Sequence, residues 1–449
     1  MNTFSQGNNN ILKRTIAIMV PVIIQNLLVY FANMIDSVML SSYGQSEFAA
    51  SSLANQSWFI YILFSFGLST GTCVLTSQYF ASRDKRSISA VMVLGFVVSC
   101  AISVAFFIFL FFFPEAFLKL YTNDINLIKT GAAYLKIVAP GYLLVGVSNL
   151  YASYLKSIEK AVLPLVFNGI TIAVNTIFNY FLIFGIGPFP KLGIEGAAIA
   201  TLISKIVEFF VIMVYFFKFE EYISLKIDTK RVKELVKDFT VYSIPVLFNE
   251  TVWGIGISFQ TAVFGRMGEN VINAVNVTGM MERAGLVVCM GLFQAASVIL
   301  GIELGRNNFK GAKKYAGRYI LFSAVFGVVF GVLIYISYPL IITAFKLPFE
   351  TAVVYKKMSV ILCILLIVKN VNSMGICAVL RAGGDSKTAL IIDIPIMLFI
   401  TNPIGALLAF KFNIEPWVVY GIFISEEFIK MPLMLWRIKT GKWLRNITN

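Results

Sequence analysis

The chain of 449 residues contains no histidine. That absence removes imidazole metal ligands, histidine general bases and every histidine-centred triad. Charge is also scarce: Asp, Glu, Lys and Arg make up 13% of the residues, about half the ~25% of soluble domains. The five cysteines (Cys73, Cys100, Cys289, Cys363 and Cys377) are scattered through apolar stretches with no CxxC pair. Neither a zinc site nor a disulfide framework is indicated. No GxxxxGK[ST] sequence occurs, which argues against an ATPase. With no nucleophile–base pair either, an enzyme is not expected, and no cofactor is implied.

What is present is apolar surface. Ala, Val, Ile, Leu, Met, Phe, Trp, Tyr and Cys reach 58%. Counted with Gly in place of Tyr the share is roughly 61%, against about 45–50% in soluble domains. A soluble chain of this length could not bury so much and still cover itself with polar groups. The chain therefore reads as an all-α polytopic membrane protein. Its net charge of +14 fits cytoplasmic loops that collect Lys and Arg, so no nucleic-acid partner is expected. Lys13 and Arg14 lead into an apolar run too long for a signal-peptide core.

A spanning helix needs ~20 apolar residues at 1.5 Å each. Twelve such spans are predicted, beginning near Ile16, Phe48, Ile88, Ile128, Ala161, Gly193, Phe239, Val271, Ala312, Val354, Lys387 and Trp417. The longest break, Lys218–Asp238, is rich in charge and falls near the middle. The organisation expected is a six-helix lobe over 1–217, a cytoplasmic linker over 218–238 and a second six-helix lobe over 239–449. The N-terminus, every second loop and the C-terminus hold about three times as many Lys and Arg as the other loops, which places both termini in the cytoplasm. The halves resemble each other: Pro21 and Pro245, Gly44 and Gly268, Ala50 and Ala274, and Gly67-Leu68 and Gly291-Leu292 keep one constant offset. Six spans per half makes the repeats parallel, related by an axis along the membrane normal around a central cleft.

Ionisable residues at mid-membrane are retained when they are functional or neutralised. Asp36 lies ~30 Å along the first span, Asn175 and Asn179 ~21–27 Å along the fifth, and Thr201 ~12 Å into the returning sixth. All four fall in the outer half. One carboxylate with amide carbonyls and a hydroxyl suits a small hard cation or a proton; the competing reading is an interhelical hydrogen bond and a helix-end cap. Glu250 and Glu282 lie ~17 Å into the seventh and eighth spans. There Arg283 is the expected neutralising partner of one of them, and a cleft-facing role in cation or substrate binding is the alternative. Lys205 with Glu208, and Glu426 and Glu427 with Lys430, are spaced to pair locally; Lys369 and Asp393 have no local partner. Pro21 and Pro245 each remove one backbone hydrogen bond from a span, and Pro21 is a candidate hinge.

With these features in place, the chain resembles the multidrug and toxic compound extrusion (MATE) family over roughly residues 12–440. The resemblance rests on the two six-helix halves, on Pro21-x14-Asp36, on Asn175-x3-Asn179 and on "GIEGAAIATLIS" carrying Thr201. "SIPVLFNETVWGIGISF" and "GRMGENVINAVNV" add to it in the second half. It implies a V-shaped pair of lobes in the bacterial inner membrane, and export of small organic, cationic compounds in exchange for Na⁺ or H⁺ by a monomer surrounded by lipid. It also implies a coupling-ion site at Asp36, Asn175, Asn179 and Thr201. Some members carry Asp where Asn179 stands, and Glu250 matches the family's seventh-helix acid only loosely. A flippase for lipid-linked sugars is the alternative of similar two-lobe design.

Overall fold

The computed structural model describes residues 8–224, 226–345 and 347–448. Among the described residues there are fifteen α-helices, two π-helical stretches and no strand. In chain order the helices are α1 (Asn8–Tyr43), α2 (Gln45–Ser82), α3 (Lys85–Phe112), the short α4 (Pro114–Leu118), α5 (Ile125–Ser157), α6 (Val162–Phe184), α7 (Ile194–Phe219), α8 (Thr229–Arg266), α9 (Glu269–Gly305) and α10 (Phe309–Ala344). There follow α11 (Phe349–Ser373), a π-helical stretch (Met374–Leu380), α12 (Ser386–Ile396), a second π-helical stretch (Met397–Thr401), α13 (Asn402–Phe410), α14 (Pro416–Ile424) and α15 (Glu426–Lys439).

Among the described residues, ten helical segments are long and apolar enough to cross a membrane. The predicted seventh and twelfth spans are helical but fall outside that set. α8 opens with Lys230, Arg231, Lys233 and Glu234 and carries Asn249 and Glu250 further along. The twelfth is divided at Ser425 into α14 and α15, and α15 contains Glu426, Glu427, Lys430 and Arg437. The expected break at 218–238 is also shorter than predicted, because α7 runs to Phe219 and α8 begins at Thr229. Charged residues end an apolar run without ending a helix; Lys, Arg and Glu are good helix formers. Large apolar side chains such as Phe112, Phe210, Phe217, Ile336 and Leu340 are exposed, the surface that lipid solvates when all backbone groups are satisfied within helices.

The chain forms two compact units. The first comprises Val20–Thr76 and Asp84–Thr240; the second comprises Met1–Met19, Ser77–Arg83 and Val241–Asn449. The chain passes from one unit to the other just before Pro21 and again just before Pro245.

In the first unit, Asp84 caps α3 by accepting from Ser87 N at 3.0 Å, and Asp124 caps α5 by accepting from Asn126 N at 2.8 Å. Such caps satisfy donors that a helix start leaves open. The connection from α7 to α8 is fastened at several points. Glu220 accepts from the hydroxyls of Tyr151 and Tyr154, both at 2.7 Å. Ser89 Oγ accepts from Ser224 N at 2.8 Å, and Arg86 pairs with Asp228. The Arg86 guanidinium holds the Asp228 carboxyl below the usual carboxylate range. Between α2, α3 and α5, Tyr61, Tyr142 and Phe106 pack edge-on or stacked. Ser57 bonds the Tyr142 hydroxyl at 2.8 Å, and Ser103 bonds that of Tyr61 at 2.9 Å.

In the second unit, the start of α1 joins α10 through Thr15 and the Tyr319 hydroxyl at 2.7 Å. The last turn of α2 is held through Gln78, which is fully buried. Its amide donates to Ala382 O at 2.8 Å, and its carbonyl accepts from Ile447 N at 2.9 Å. Trp443, also fully buried, stands against Gly383, the residue after Ala382.

Candidate functional site: a polar cavity with one carboxylate

α6 is an apolar helix with one polar stripe. Asn168, Thr171, Asn175 and Asn179 recur at helical spacing and all line a cavity of about 380 Å³ in the first unit. α1 contributes Asn33 and Asp36, α2 contributes Ser51, Asn55 and Trp58, α5 contributes Tyr134 and Tyr142, and α7 contributes Thr201, Ser204 and Lys205.

The four residues grouped by depth in the sequence meet here. Asn179 Nδ2 donates to Asp36 Oδ1 at 2.7 Å. The amide of Asn175 stands between Thr201 and Asp36. One end is 3.4 Å from Thr201 Oγ1. With its nitrogen turned to the carboxylate it donates to both Asp36 oxygens, at 3.2 and 3.1 Å, the orientation that satisfies both ends of the amide. Asn179 is 1% exposed, and its Oδ1 has no hydrogen-bond partner among the described residues. A buried acceptor left unmade costs roughly 1–3 kcal/mol. The set thus offers one negative charge, a free carbonyl oxygen and a hydroxyl, all hard-oxygen groups.

The approach of α7 to α6 depends on Gly196. A Cβ at that position would stand 2.5 Å from Leu182 O, a backbone atom. Gly196→Ala must therefore push the two helices apart and draw Thr201 from Asn175. The expected result is a loss of about 1–3 kcal/mol, the usual cost of overpacking, read as a lower melting temperature of the purified protein. An unchanged melting temperature would show that the close approach is dispensable.

The carboxylates of the second unit are arranged differently from the sequence expectation. Arg283 is exposed and neutralises neither Glu250 nor Glu282. Glu250 accepts from Arg381 Nη2 at 2.6 Å, and Glu282 pairs with Lys369. Asp393 pairs with Lys430 at 2.7 Å and accepts from Asn249 Nδ2 at 3.0 Å. Lys430 also reaches Glu426 at 3.2 Å, as its local spacing predicts, while Glu427 takes the Asn372 amide at 2.7 Å. Arg283 failed as the partner because adjacent residues on a helix point about 100° apart and do not face each other. Lys369 and Asp393, without partners along the sequence, find them across helices. Sequence reasoning also passed over Asn33, Asn55, Tyr134 and Lys205 as cavity-lining groups; the spacing of Lys205 four residues after Thr201 was the available signal.

A family model described as MatE matches residues 21–181 and 250–409, one block in each half. The chain belongs to the MatE family. The MatE chain is 23% identical over 435 residues to the "Uncharacterized transporter YisQ" of Bacillus subtilis, covering 95% of this chain and 93% of that protein. It is 23% identical over 414 residues to the "Probable multidrug resistance protein YoeA" of the same organism, covering 90% and 88%. Its fold matches a solved MOP superfamily transporter from Pyrococcus furiosus with a TM-score of 0.84 at 18% identity, over 96% of both chains. It is a membrane transporter of the MATE type rather than an enzyme.

Proposed function

We propose that this transporter exports organic compounds across the cytoplasmic membrane in exchange for Na⁺ or H⁺, by alternating access, with both termini in the cytoplasm. Asp36 is the coupling carboxylate, and Asn175, Asn179 and Thr201 supply the other oxygens. The observation that carries this reading is the convergence of those four groups on one cavity, with a buried carbonyl oxygen of Asn179 left open beside Asp36, the only carboxylate that lines it among the described residues. A proton or a Na⁺ neutralises Asp36, so the two ions compete for one charge. Pro21 is the hinge; it stands where α1 passes from one compact unit to the other.

The driving force sets limits on the cargo. A tenfold Na⁺ gradient is worth ~1.4 kcal/mol, and 100 mV adds ~2.3 kcal/mol per net charge moved. One-for-one exchange against a monovalent cation moves no net charge and uses only the first. A cargo of zero net charge lets both add. A flippase reading, which needs a run of free cations for pyrophosphate, draws no support from the second unit: Lys369, Arg381 and Lys430 each pair with an acid.

Purified protein in liposomes, given a Na⁺ or proton gradient, is expected to move a fluorescent organic compound against its own gradient, and the compound is expected to stimulate ²²Na⁺ or proton flux. Cargo movement indifferent to both ions would overturn the coupling.

A further inference from the structure

From Leu304 to Phe349 the sequence has no Asp or Glu, while Arg306, Lys310, Lys313, Lys314 and Arg318 crowd the beginning of that stretch. The four from Lys310 onward fall in the opening turns of α10, within ~12 Å of helix, and all four are exposed. The first turn of α10 has no carboxylate, so the positive end of the helix dipole adds to this charge instead of being offset. Glu303, just before the helix, pairs with Arg14 and Arg306. The start of α3 is basic too, yet there Asp228 pairs with Arg86 and the ring of Tyr222 faces Lys85. Among the described residues, Lys310, Lys313 and Lys314 have no ion-pair partner.

A glycine marks the same place. Three of the four glycines of α10 are accounted for by neighbours in the protein. A Cβ at Gly311 would strike the side chain of Asn308, which caps the helix. At Gly327 and Gly331 it would come within 2.6 Å of backbone atoms of Ile367 and Cys363 on α11. At Gly317 it would meet nothing within 4 Å. Glycine inside a helix is destabilising relative to alanine, and it is used where another molecule comes close to the backbone. Lys310, Lys314, Gly317, Leu321, Val325 and Val328 succeed one another at intervals of three or four and are all exposed, so they form one stripe. The stripe is cationic at the helix start, notched at Gly317 and apolar beyond it, with Lys313 and Arg318 on its flanks.

We infer that this stripe is a binding site for an anionic phospholipid. The phosphate lies over Gly317, where Lys313, Lys314 and Arg318 are within a turn of it, and the acyl chains run along Leu321, Val325 and Val328. Basic segments beside a spanning helix attract anionic headgroups. A choline headgroup offers the same phosphate but brings its own cation, which the cluster repels. Excess Lys and Arg is general to cytoplasmic loops; a bare stretch of helix backbone among them is not. Placement in the cytoplasmic leaflet rests on the orientation proposed above, through the bond from Thr15 near the N-terminus to Tyr319. The binding itself does not depend on that orientation.

The test is lipid binding by the purified full-length protein in detergent, counted by native mass spectrometry as phosphatidylglycerol or phosphatidylcholine is titrated in. Wild-type protein is expected to bind phosphatidylglycerol at least tenfold more tightly. Joint substitution Lys310→Gln, Lys313→Gln and Lys314→Gln should remove most of that preference, whereas Lys230→Gln, Lys233→Gln and Lys237→Gln on α8 should leave it. Gly317→Leu fills the notch without touching the charge; it should weaken phosphatidylglycerol binding severalfold while the melting temperature in detergent stays level or rises. Inorganic phosphate at the concentration of the lipid should not displace it. The assignment is overturned if wild-type protein binds the two lipids equally, if the α10 substitutions keep the preference, if the α8 substitutions lose as much of it, if Gly317→Leu binds as the wild type does, or if inorganic phosphate displaces the lipid. Gly317→Leu keeps the test decisive where the triple variant folds poorly. No ion gradient enters the measurement, so failure here and failure of cation-driven export in liposomes are separate results.

Discussion

Asp36→Asn is expected to abolish cation-driven export while the protein inserts and folds at wild-type level. The substitution keeps the shape, and its side-chain oxygen can still accept from Asn179 Nδ2, a bond of 2.7 Å in the wild-type protein. What disappears is the charge. At an effective dielectric constant of 20, attraction between unit charges at 4 Å is worth about 4 kcal/mol, close to a thousandfold in affinity. The neighbouring amides and hydroxyl are dipoles and do not replace it. Asn175→Ala and Asn179→Ala retain the carboxylate and each remove an oxygen and a donor, so they should raise the Na⁺ concentration for half-maximal export rather than eliminate transport. In the wild-type protein a higher proton concentration should raise that same Na⁺ requirement. Counterflow and gradient-driven uptake in liposomes read all of these. Asp36→Asn protein that still moves cargo uphill, with unchanged Na⁺ and pH dependence, would falsify the coupling role.

Arg381→Met should cost the protein its fold rather than its coupling. Arg381 is 1% exposed and bonds Glu250 at 2.6 Å from the far end of the π-helical stretch Met374–Leu380. Removing one partner of a buried pair costs about 3–5 kcal/mol, because the other charge is left in place. That is a large part of the ~5–15 kcal/mol that typically separates native from unfolded chains. The expected outcome is little monodisperse protein on size-exclusion chromatography. Arg381→Met combined with Glu250→Gln removes both charges and should recover most of the yield, since replacing a whole buried pair is often neutral. If the double variant is as poor as the single one, Arg381 acts through packing and not through Glu250.

The two variants divide the molecule as its sequence does, into what was legible and what was not. Apolar runs located most of the helices because in lipid the backbone must satisfy itself, and length then follows from bilayer thickness. The Asp36 set was legible for a similar reason: depth along a helix is simply residue count times rise, and Asn175 and Asn179 share a face by spacing alone. The partners of Glu250, Glu282 and Asp393 were not. Arg381 is 131 residues from Glu250, and Lys369 is 87 from Glu282, so only the packing of helices brings them together. Adjacency along the chain suggested Arg283 instead, and helix geometry turned it outward. Lys205 shows the same limit from another side. Its pairing with Glu208 was predictable from local spacing, yet the spacing did not say that Lys205 lines a cavity and Glu208 does not.

The buried contact between Gln78 and Ile447 joins residues 369 apart in sequence, and this imposes a timetable on synthesis. Every residue of the first unit lies before Val241, so that unit can close while the ribosome is still making the rest. The second unit cannot, because it needs the start of α1, which must wait for Tyr319, and the last turn of α2, which must wait for Ala382 and Ile447. At about 5–20 residues per second, the stretch from Thr240 to Ile447 takes roughly 10–40 s to appear. For that interval α2 has its body in a finished unit while its last turn carries a glutamine with neither of its eventual backbone partners. Contacts that close over so long a loop form late, so this end of α2 is where an insertion chaperone or a membrane protease has the longest opportunity to engage the nascent transporter.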